Sequence, residues 1–210
     1  MPISVIKKYI DILAFYKFNK LHLHLTEDQG WRIEIKKYPL LTEKGAYRGP
    51  EKYGGFYTQK ELKEISDYAD ERFIEIIPEI ELPGHCTAAL AAYPKLGCTE
   101  EAFEVSGTFH KIHEQAFCAG RAFSYEFLED VFDEVIDLLK PRYIHIGGDE
   151  CLKNRWSECP ACRNLMEKEK LQSEEELQAY FIRQISDYII GKGCSVIGWE
   201  EVLQGKGIHP

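Results

Sequence analysis

Tyr143-Ile144-His145-Ile146-Gly147-Gly148-Asp149-Glu150 is a short apolar run that leads through two glycines into two adjacent carboxylates. Read as a strand, it places Tyr143 and His145 on one face and Ile144 and Ile146 on the other. Neighbouring strand residues point to opposite sides, so Asp149 and Glu150 can share a pocket only if the ladder ends before them. Gly147 and Gly148 allow that, because glycine tolerates the dihedrals that bend a chain out of a sheet. Carboxylates at the C-terminal tip of a buried parallel strand stand where α/β proteins keep their chemistry.

The rest of the chain repeats this pattern. Ser4 is the expected cap of a first helix carrying Val5, Ile6, Tyr9, Ile10, Leu13 and Tyr16 at helical spacing and running to about Phe18. Leu21-His22-Leu23-His24-Leu25 alternates strictly, with the leucines on the helix side and both histidines opposite, and Glu27-Asp28-Gln29 follows. A long polar connection from Gly30 to Tyr57 carries Trp31 and Arg32. Thr58-Gln59-Lys60-Glu61 reads as a capping box that opens a helix through Arg72.

Phe73 to Ile80 is the next strand, with Ile74, Ile76 and Ile80 on one face and Glu75, Glu79 and Glu81 on the other. Pro83-Gly84-His85 turns the chain out of it. A short helix over Ala88–Ala92 and a second long connection from Pro94 to Phe123 come next. Ser124 is expected to cap a helix that Pro141 stops. After Glu150, a polar segment holds Trp156 and Cys159-Pro160-Ala161-Cys162. Ser173-Glu174-Glu175-Glu176 reads as another capping box, its helix ends near Gly191, and Cys194–Trp199 is a last strand before Glu200 and Glu201.

Four strands, each preceded by a helix, imply a parallel sheet with right-handed crossovers. Polar residues on the strand faces away from the helices favour a closed barrel over an open sheet covered on both sides. Long connections follow the strands and short ones precede them, the asymmetry of a (β/α)8 barrel. Four strands make half of such a barrel, and a complete one needs roughly 250 residues. The expected fold is therefore an incomplete (β/α)8 barrel, helix one through strand five, formed by residues 1–210 as one partial catalytic domain.

Composition sets outer limits. The chain has 210 residues, 44% hydrophobic and 29% charged, as in a globular protein. A net charge of −9 speaks against nucleic acid and membrane surfaces as partners. No apolar run reaches spanning length, and Met1-Pro2 opens no signal peptide. Aromatic residues, 12% of the chain, suit stacking on a flat ligand such as a sugar ring as well as core packing.

Each strand end delivers polar groups to one face: His24, Glu27 and Asp28; Glu81 and His85; Asp149 and Glu150; Trp199 and Glu200. Solvated loops do not explain four such sets at corresponding positions. His22 and His24 admit two readings, hydrogen-bonded lumen histidines or ligands of a divalent ion in a metal-dependent barrel hydrolase, with His85 and His145 as the further candidates. The seven cysteines, an odd number, argue against a complete disulfide framework. Cys159 and Cys162 have the spacing of half a zinc site but no second Cys-x-x-Cys, so they are expected to be structural or incidental thiols. Cys98 and Cys118 bracket the second long connection and can pair as a disulfide in an exported protein.

The segments His22-Leu23-His24-Leu25-Thr26-Glu27-Asp28-Gln29-Gly30-Trp31-Arg32, Pro78-Glu79-Ile80-Glu81-Leu82-Pro83-Gly84-His85, His145-Ile146-Gly147-Gly148-Asp149-Glu150 and Gly198-Trp199-Glu200-Glu201-Val202 resemble, in the same order, family 20 glycoside hydrolases, the β-N-acetylhexosaminidases. The resemblance implies a (β/α)8 barrel that removes terminal β-linked N-acetylglucosamine or N-acetylgalactosamine with retention. N-acetylhexosamine-containing glycans would be its partners, with no cofactor and no metal. The substrate's own 2-acetamido oxygen would attack the anomeric carbon, an exception to the two-carboxylate retaining scheme.

On this resemblance Glu150 is the general acid and then the base, and needs a raised pKa, to which Asp149 contributes by like-charge repulsion. Asp149 orients the acetamido group. His85 with Glu27 and Asp28 forms a relay behind Glu150, and Trp199 is a wall of the acetamido pocket. A full-length parent would be compatible with export or a periplasmic location.

The chain departs from the family pattern at Glu27 and Glu81, where aspartates are usual, and each added methylene threatens the register of a supporting carboxylate. A non-catalytic sugar-binding remnant is the alternative these changes favour. The family's first strand and last three strands are expected outside residues 1–210, so that the piece alone is expected to be poorly stable and inactive, with bare edge strands.

Overall fold

The computed structural model describes residues 1–102, 104–105, 107 and 115–204; the middle of the second long connection and the last six residues lie outside it. In chain order the elements are α1 (Ile3–Phe15), β1 (Lys20–His24), β2 (Thr26–Glu27), β3 (Gly30–Trp31), α2 (Leu40–Glu43), β4 (Tyr47–Arg48), β5 (Tyr53–Gly54), α3 (Gln59–Asp70), β6 (Glu75–Leu82), α4 (Thr87–Ala92), α5 (Ala122–Leu139), β7 (Tyr143–Gly147), α6 (Asn154–Glu158), α7 (Pro160–Glu169), α8 (Glu174–Gly191) and β8 (Ser195–Ile197). Single 3-10 turns follow α4 at Pro94–Leu96 and β8 at Glu200–Leu203. No helix among the described residues is long and apolar enough to cross a membrane.

The strands β1, β6, β7 and β8 form one parallel sheet in that order, each joined to the next through a helix. This is the α/β arc expected from the alternation. The faces separate as their residue types require: Ile74, Ile76, Ile80, Ile144 and Ile146 are buried against the helices, while His22, His24, Glu79, Glu81 and His145 lie on the opposite, lumen face. Register sets the lumen layers. His24 pairs with Glu79 across β1 and β6, and Glu79 with His145 across β6 and β7, so three polar side chains stand in one row. Among the described residues β1 and β8 are the sheet's edges.

Helix ends explain most boundary differences from expectation. Thr58 caps α3 with a complete box: its side chain accepts from the Glu61 N–H, and the Glu61 carboxylate accepts from the Thr58 N–H at 2.8 Å. Such a cap contributes about 1 kcal/mol. Ser173 also accepts from the Glu176 N–H, and the Glu176 carboxylate takes the Gln172 N–H at 2.8 Å. Ser4 is no cap; α1 begins at Ile3 behind Pro2, whose fixed φ suits a helix start, and it ends at Phe15. Ser124 lies inside α5, which starts at Ala122, and its hydroxyl bonds the Leu96 carbonyl instead.

The connection over residues 30–57 is more ordered than its polarity suggests. Two small hairpins form, β2–β3 directly after β1 and β4–β5 further along the chain. Arg32 ties them by donating to the carbonyls of Ala46, Gly55 and Gln29. Trp31 is buried, bonds the Ile33 carbonyl and packs edge-on against Phe127. Trp31 and Arg32 are therefore framework residues. Phe127 of α5 also meets Tyr38, Tyr93 and Phe117, joining both long connections to one aromatic core.

Candidate active site

β6 runs two residues further than its apolar pattern indicated, to Leu82, and so carries Glu79 and Glu81 on one lumen face. Both are almost fully buried, at 1% and 2% exposure. Glu79 sits among imidazoles: Nδ1 of His145 is 2.8 Å from one oxygen, and Nε2 of His22 and Nδ1 of His24 are 2.9 and 3.3 Å from the other. Burial pushes its carboxyl up, but the close imidazoles of His145, His22 and His24 outweigh that and hold it well below the usual carboxylate range. The donor atoms of His22, Glu79 and His145, and those of His24, Glu79 and Glu81, form two sets, each with its atoms within 4.8 Å of one another. Glu79 organises the lumen histidines, a role its place among alternating strand residues did not single out.

Glu81, one layer higher, has the opposite balance. Burial, and then repulsion from Glu79, push its carboxyl up to about 9, with His85 opposing and Asp149 adding to the rise. It is therefore a neutral acid at pH 7. Gly147 makes room for it: a Cβ on Gly147 would lie 1.7 Å from a Glu81 oxygen. That contact, together with φ of +66°, accounts for glycine at this position. Gly148 continues the bend at φ +98°, and the chain leaves the sheet before Asp149, as the pair's shared orientation demands.

His85 is the junction of the site. It follows the turn at Pro83-Gly84 and is held in the left-handed region at φ +48°. Its Nδ1 is 2.9 Å from Glu27 and 3.9 Å from Asp28. On the other side of the ring, Nε2 is 3.9 Å from Asp149 and 3.8 Å from Glu150. The bond to Glu27, opposed by burial and reinforced by the charges of Glu27, Glu81 and Asp28, raises His85 to about 9, so it is an imidazolium at neutral pH. Glu27 is pushed up by burial, but its bonds with His85 and the Asp28 N–H bring it below the ordinary value. The extra methylene at Glu27 thus leaves it in register with His85. Asp28 accepts the Thr87 N–H at 2.9 Å and fixes α4 behind the histidine.

Asp149 is partly buried, and burial raises its carboxyl, with Glu79 and Glu201 adding to the rise and His85 opposing it. Its Oδ1 is buried with no protein hydrogen-bond partner. Glu150 is exposed at the mouth, in the left-handed region at φ +47°, a conformation of measurable cost for a non-glycine residue. Its N–H donates to Glu201 at 3.2 Å, a contact that no spacing in the sequence announces.

Trp199 anchors its N–H on the Gly147 carbonyl and lays a half-exposed ring 4.8 Å from His145, forming one side of the lumen. His24 lies lower, with Nε2 on the Thr26 carbonyl at 2.8 Å and 3.6 Å from both Glu27 and Glu81. The structure therefore gathers Glu27, Asp28, His85, Asp149 and Glu150 about one imidazole, places His24 at the base, and sets Trp199 on the flank. The arrangement offers an exposed carboxyl for proton exchange, a second carboxylate with a free buried oxygen, and a positive charge between them.

The cysteines depart from expectation. All seven are unbonded, so Cys98 and Cys118 do not form a disulfide. Their sulfurs gather instead with those of Cys159 and Cys162, the segment whose second half was missing by spacing.

Residues 1–209 match the family model described as glycosyl hydrolase family 20, catalytic domain. A β-hexosaminidase of Porphyromonas gingivalis is 48% identical over the whole of this chain, which covers 27% of that enzyme. A β-hexosaminidase of Vibrio furnissii is 39% identical over 97% of the chain and 35% of its own length. Among solved structures, the β-N-acetylhexosaminidase of Bacteroides fragilis superposes with a TM-score of 0.87 at 47% identity, over 96% of this chain and 39% of that one. An exo-β-N-acetylglucosaminidase of Vibrio harveyi, solved with N-acetylglucosamine, superposes with a TM-score of 0.87 at 38% identity, over 96% and 34% of the two chains. The chain thus spans between about a quarter and two fifths of the length of these relatives. With the motif order, the parallel sheet and the strand-tip acids all in agreement, the chain belongs to glycosyl hydrolase family 20 and represents part of its catalytic (β/α)8 domain.

Proposed function

We propose that the protein carrying this chain removes terminal β-linked N-acetylglucosamine or N-acetylgalactosamine from glycans, with retention and with the substrate's own acetamido group as nucleophile. The observation that carries the reading is the position of His85: one ring nitrogen on Glu27 and the other within 4 Å of both Asp149 and Glu150. Neighbouring acids held on one side of a sugar leave no protein nucleophile for the opposite face, and a 2-acetamido oxygen supplies one.

In the first step Glu150, the exposed member, gives its proton to the glycosidic oxygen while the acetamido oxygen closes on the anomeric carbon to form an oxazolinium ion. Asp149 takes the acetamido N–H on its free oxygen and stabilises the positive charge that develops there. Glu150, now a carboxylate, removes a proton from water, which opens the ring at the anomeric carbon and restores the acid. The His85 imidazolium positions both carboxylates from behind, with Glu27 and Asp28 holding the ring. Trp199 forms a wall for the acetamido methyl, and His24 supports the layer beneath.

Glu150→Gln tests the assignment. Hydrolysis of glycosides with poor leaving groups falls on the order of 10²- to 10⁴-fold, the usual contribution of a positioned acid, while aryl glycosides with very good leaving groups lose less in the first step. Wild-type rates on every substrate remove Glu150 from the mechanism. Binding of a thiazoline mimic of the oxazolinium ion by the wild-type protein without any turnover favours the sugar-binding reading instead.

A further inference from the structure

Four thiols from three separate segments converge on one point outside the lumen. Cys98 follows the turn at Pro94–Leu96, and Cys118 closes the second long connection, its N–H on the Leu96 carbonyl at 2.7 Å. Cys159 precedes α7 as its N-cap, and Cys162 lies in the first turn of that helix. Their sulfurs all lie within 4.8 Å of one another. Cys118 is 3.7 Å from both Cys159 and Cys162, and Cys98 is 3.9 Å from Cys162. Three of the four residues are buried.

These separations discriminate between the usual fates of cysteine. A disulfide needs sulfurs about 2.05 Å apart. Incidental buried thiols pack as small apolar groups with no reason to aim four sulfurs at a common centre. Thiolates around zinc sit about 2.3 Å from the ion, and the edge of a tetrahedron with that radius is about 3.8 Å. The three sulfur separations above straddle that length. We infer that Cys98, Cys118, Cys159 and Cys162 form a structural zinc site of the tetrathiolate kind.

Two further features fit a constructed site. Gly120, two residues after Cys118, passes so close to the cysteine loop that a Cβ would lie 2.2 Å from the Ala161 carbonyl carbon and 2.4 Å from the Cys162 nitrogen. Only glycine lets the backbone between two ligands approach to that distance. Arg121 also stays near: its guanidinium donates to the Cys98 carbonyl at 3.4 Å and to the Glu100 carboxylate. A cation there offsets the excess negative charge of four thiolates around a divalent ion.

The ion's place in the fold indicates what it does. It joins the connection after β6 to the α6–α7 segment after β7, the two loops that carry His85 and the Asp149–Glu150 pair. The same loops are linked nearer the site by Trp156, whose indole donates to the Phe117 carbonyl at 3.0 Å, and by the Phe117 N–H on the Pro83 carbonyl at 2.9 Å, two residues from His85. Closed by four protein ligands, the site has no open position for substrate and holds the loops rather than taking part in chemistry.

The test is the metal content of the intact protein, produced without a histidine tag in zinc-supplemented medium and purified under reducing conditions. Elemental analysis gives about one zinc per chain, released on titration with an organomercurial. Refolding with cobalt gives the thiolate charge-transfer bands and intense visible bands of a tetrahedral sulfur site. The paired variant Cys159→Ser/Cys162→Ser loses at least tenfold of the bound zinc, consistent with ligand removal. Because that variant can fail to fold, the wild-type measurement decides. Less than about a tenth of an ion per chain, with the four cysteines recovered as free thiols or disulfides, overturns the proposal. Stoichiometric iron in place of zinc overturns the choice of ion.

Discussion

Glu79 and Glu81 are two residues apart on one strand face and equally buried, yet they titrate in opposite directions. The lower layer sets three imidazole nitrogens, from His22, His24 and His145, within 3.3 Å of the Glu79 carboxylate. The upper layer, Glu81 with His85, Glu27, Asp149 and Glu150, crowds four acids around one imidazole, and one of them takes up a proton. Burial raises both carboxyls, and their partners decide which one stays raised. The layer with more acids than cations is the one in which the carboxyls of Glu81 and Asp149 are raised.

Replacing the shared cation should disturb the upper layer most. His85→Gln leaves Asp149 and Glu150 facing Glu27 without the positive charge between them. The expected fall in kcat/KM is on the order of a hundredfold, the scale of a misplaced catalytic group. The pH profile separates this from a general loss of packing. His85 has its folded-state pKa raised above the ordinary 6.5 to about 9, so its stabilisation is complete below 6.5 and lost as pH rises through about 9. The wild-type melting temperature should fall across that window, and the His85→Gln protein should lack that component. Equal slopes for the two proteins would erase the contrast between the layers.

Glu81→Gln has a smaller effect, with the opposite sign. The folded-state pKa of Glu81 is raised above 4.5, so its contribution to stability is complete below 4.5 and is lost as pH rises towards about 9. Glutamine mimics the neutral acid and does not carry that penalty. Thermal melts should show the variant more stable by a few degrees at pH 7 to 8 and close to wild type near pH 4.5. A variant less stable at pH 7 would mean that the carboxyl of Glu81 is ionised and paired after all.

The strand-tip site was legible because alternation and turn chemistry act over a few residues. His22 and His24 had to share a face, and Gly147 and Gly148 had to end a ladder, so Asp149 and Glu150 could be placed before any fold was known. The resemblance then linked them to His85, Glu27, Asp28 and Trp199. The helix starts expected at Ser4 and Ser124 differ from the structure because a capping residue type also occurs inside helices, where a tertiary partner such as the Leu96 carbonyl takes the Ser124 hydroxyl. Glu79 was hidden by belonging to a regular alternation. The four cysteines were hidden by distance: only one pair has ligand spacing, and Cys98 and Cys118 join it through a register of loops that no local pattern encodes.

The dependence of hydrolysis on the substrate's acetamido group tests the central claim most directly. The intact protein is given matched aryl β-N-acetylglucosaminide and aryl β-glucoside, and the first-formed sugar is followed by proton NMR. Attack by the acetamido oxygen gives rapid cleavage of the N-acetylglucosaminide with the β-anomer of N-acetylglucosamine appearing first, and no measurable cleavage of the glucoside. Comparable rates on both substrates, or the α-anomer appearing first, would contradict it.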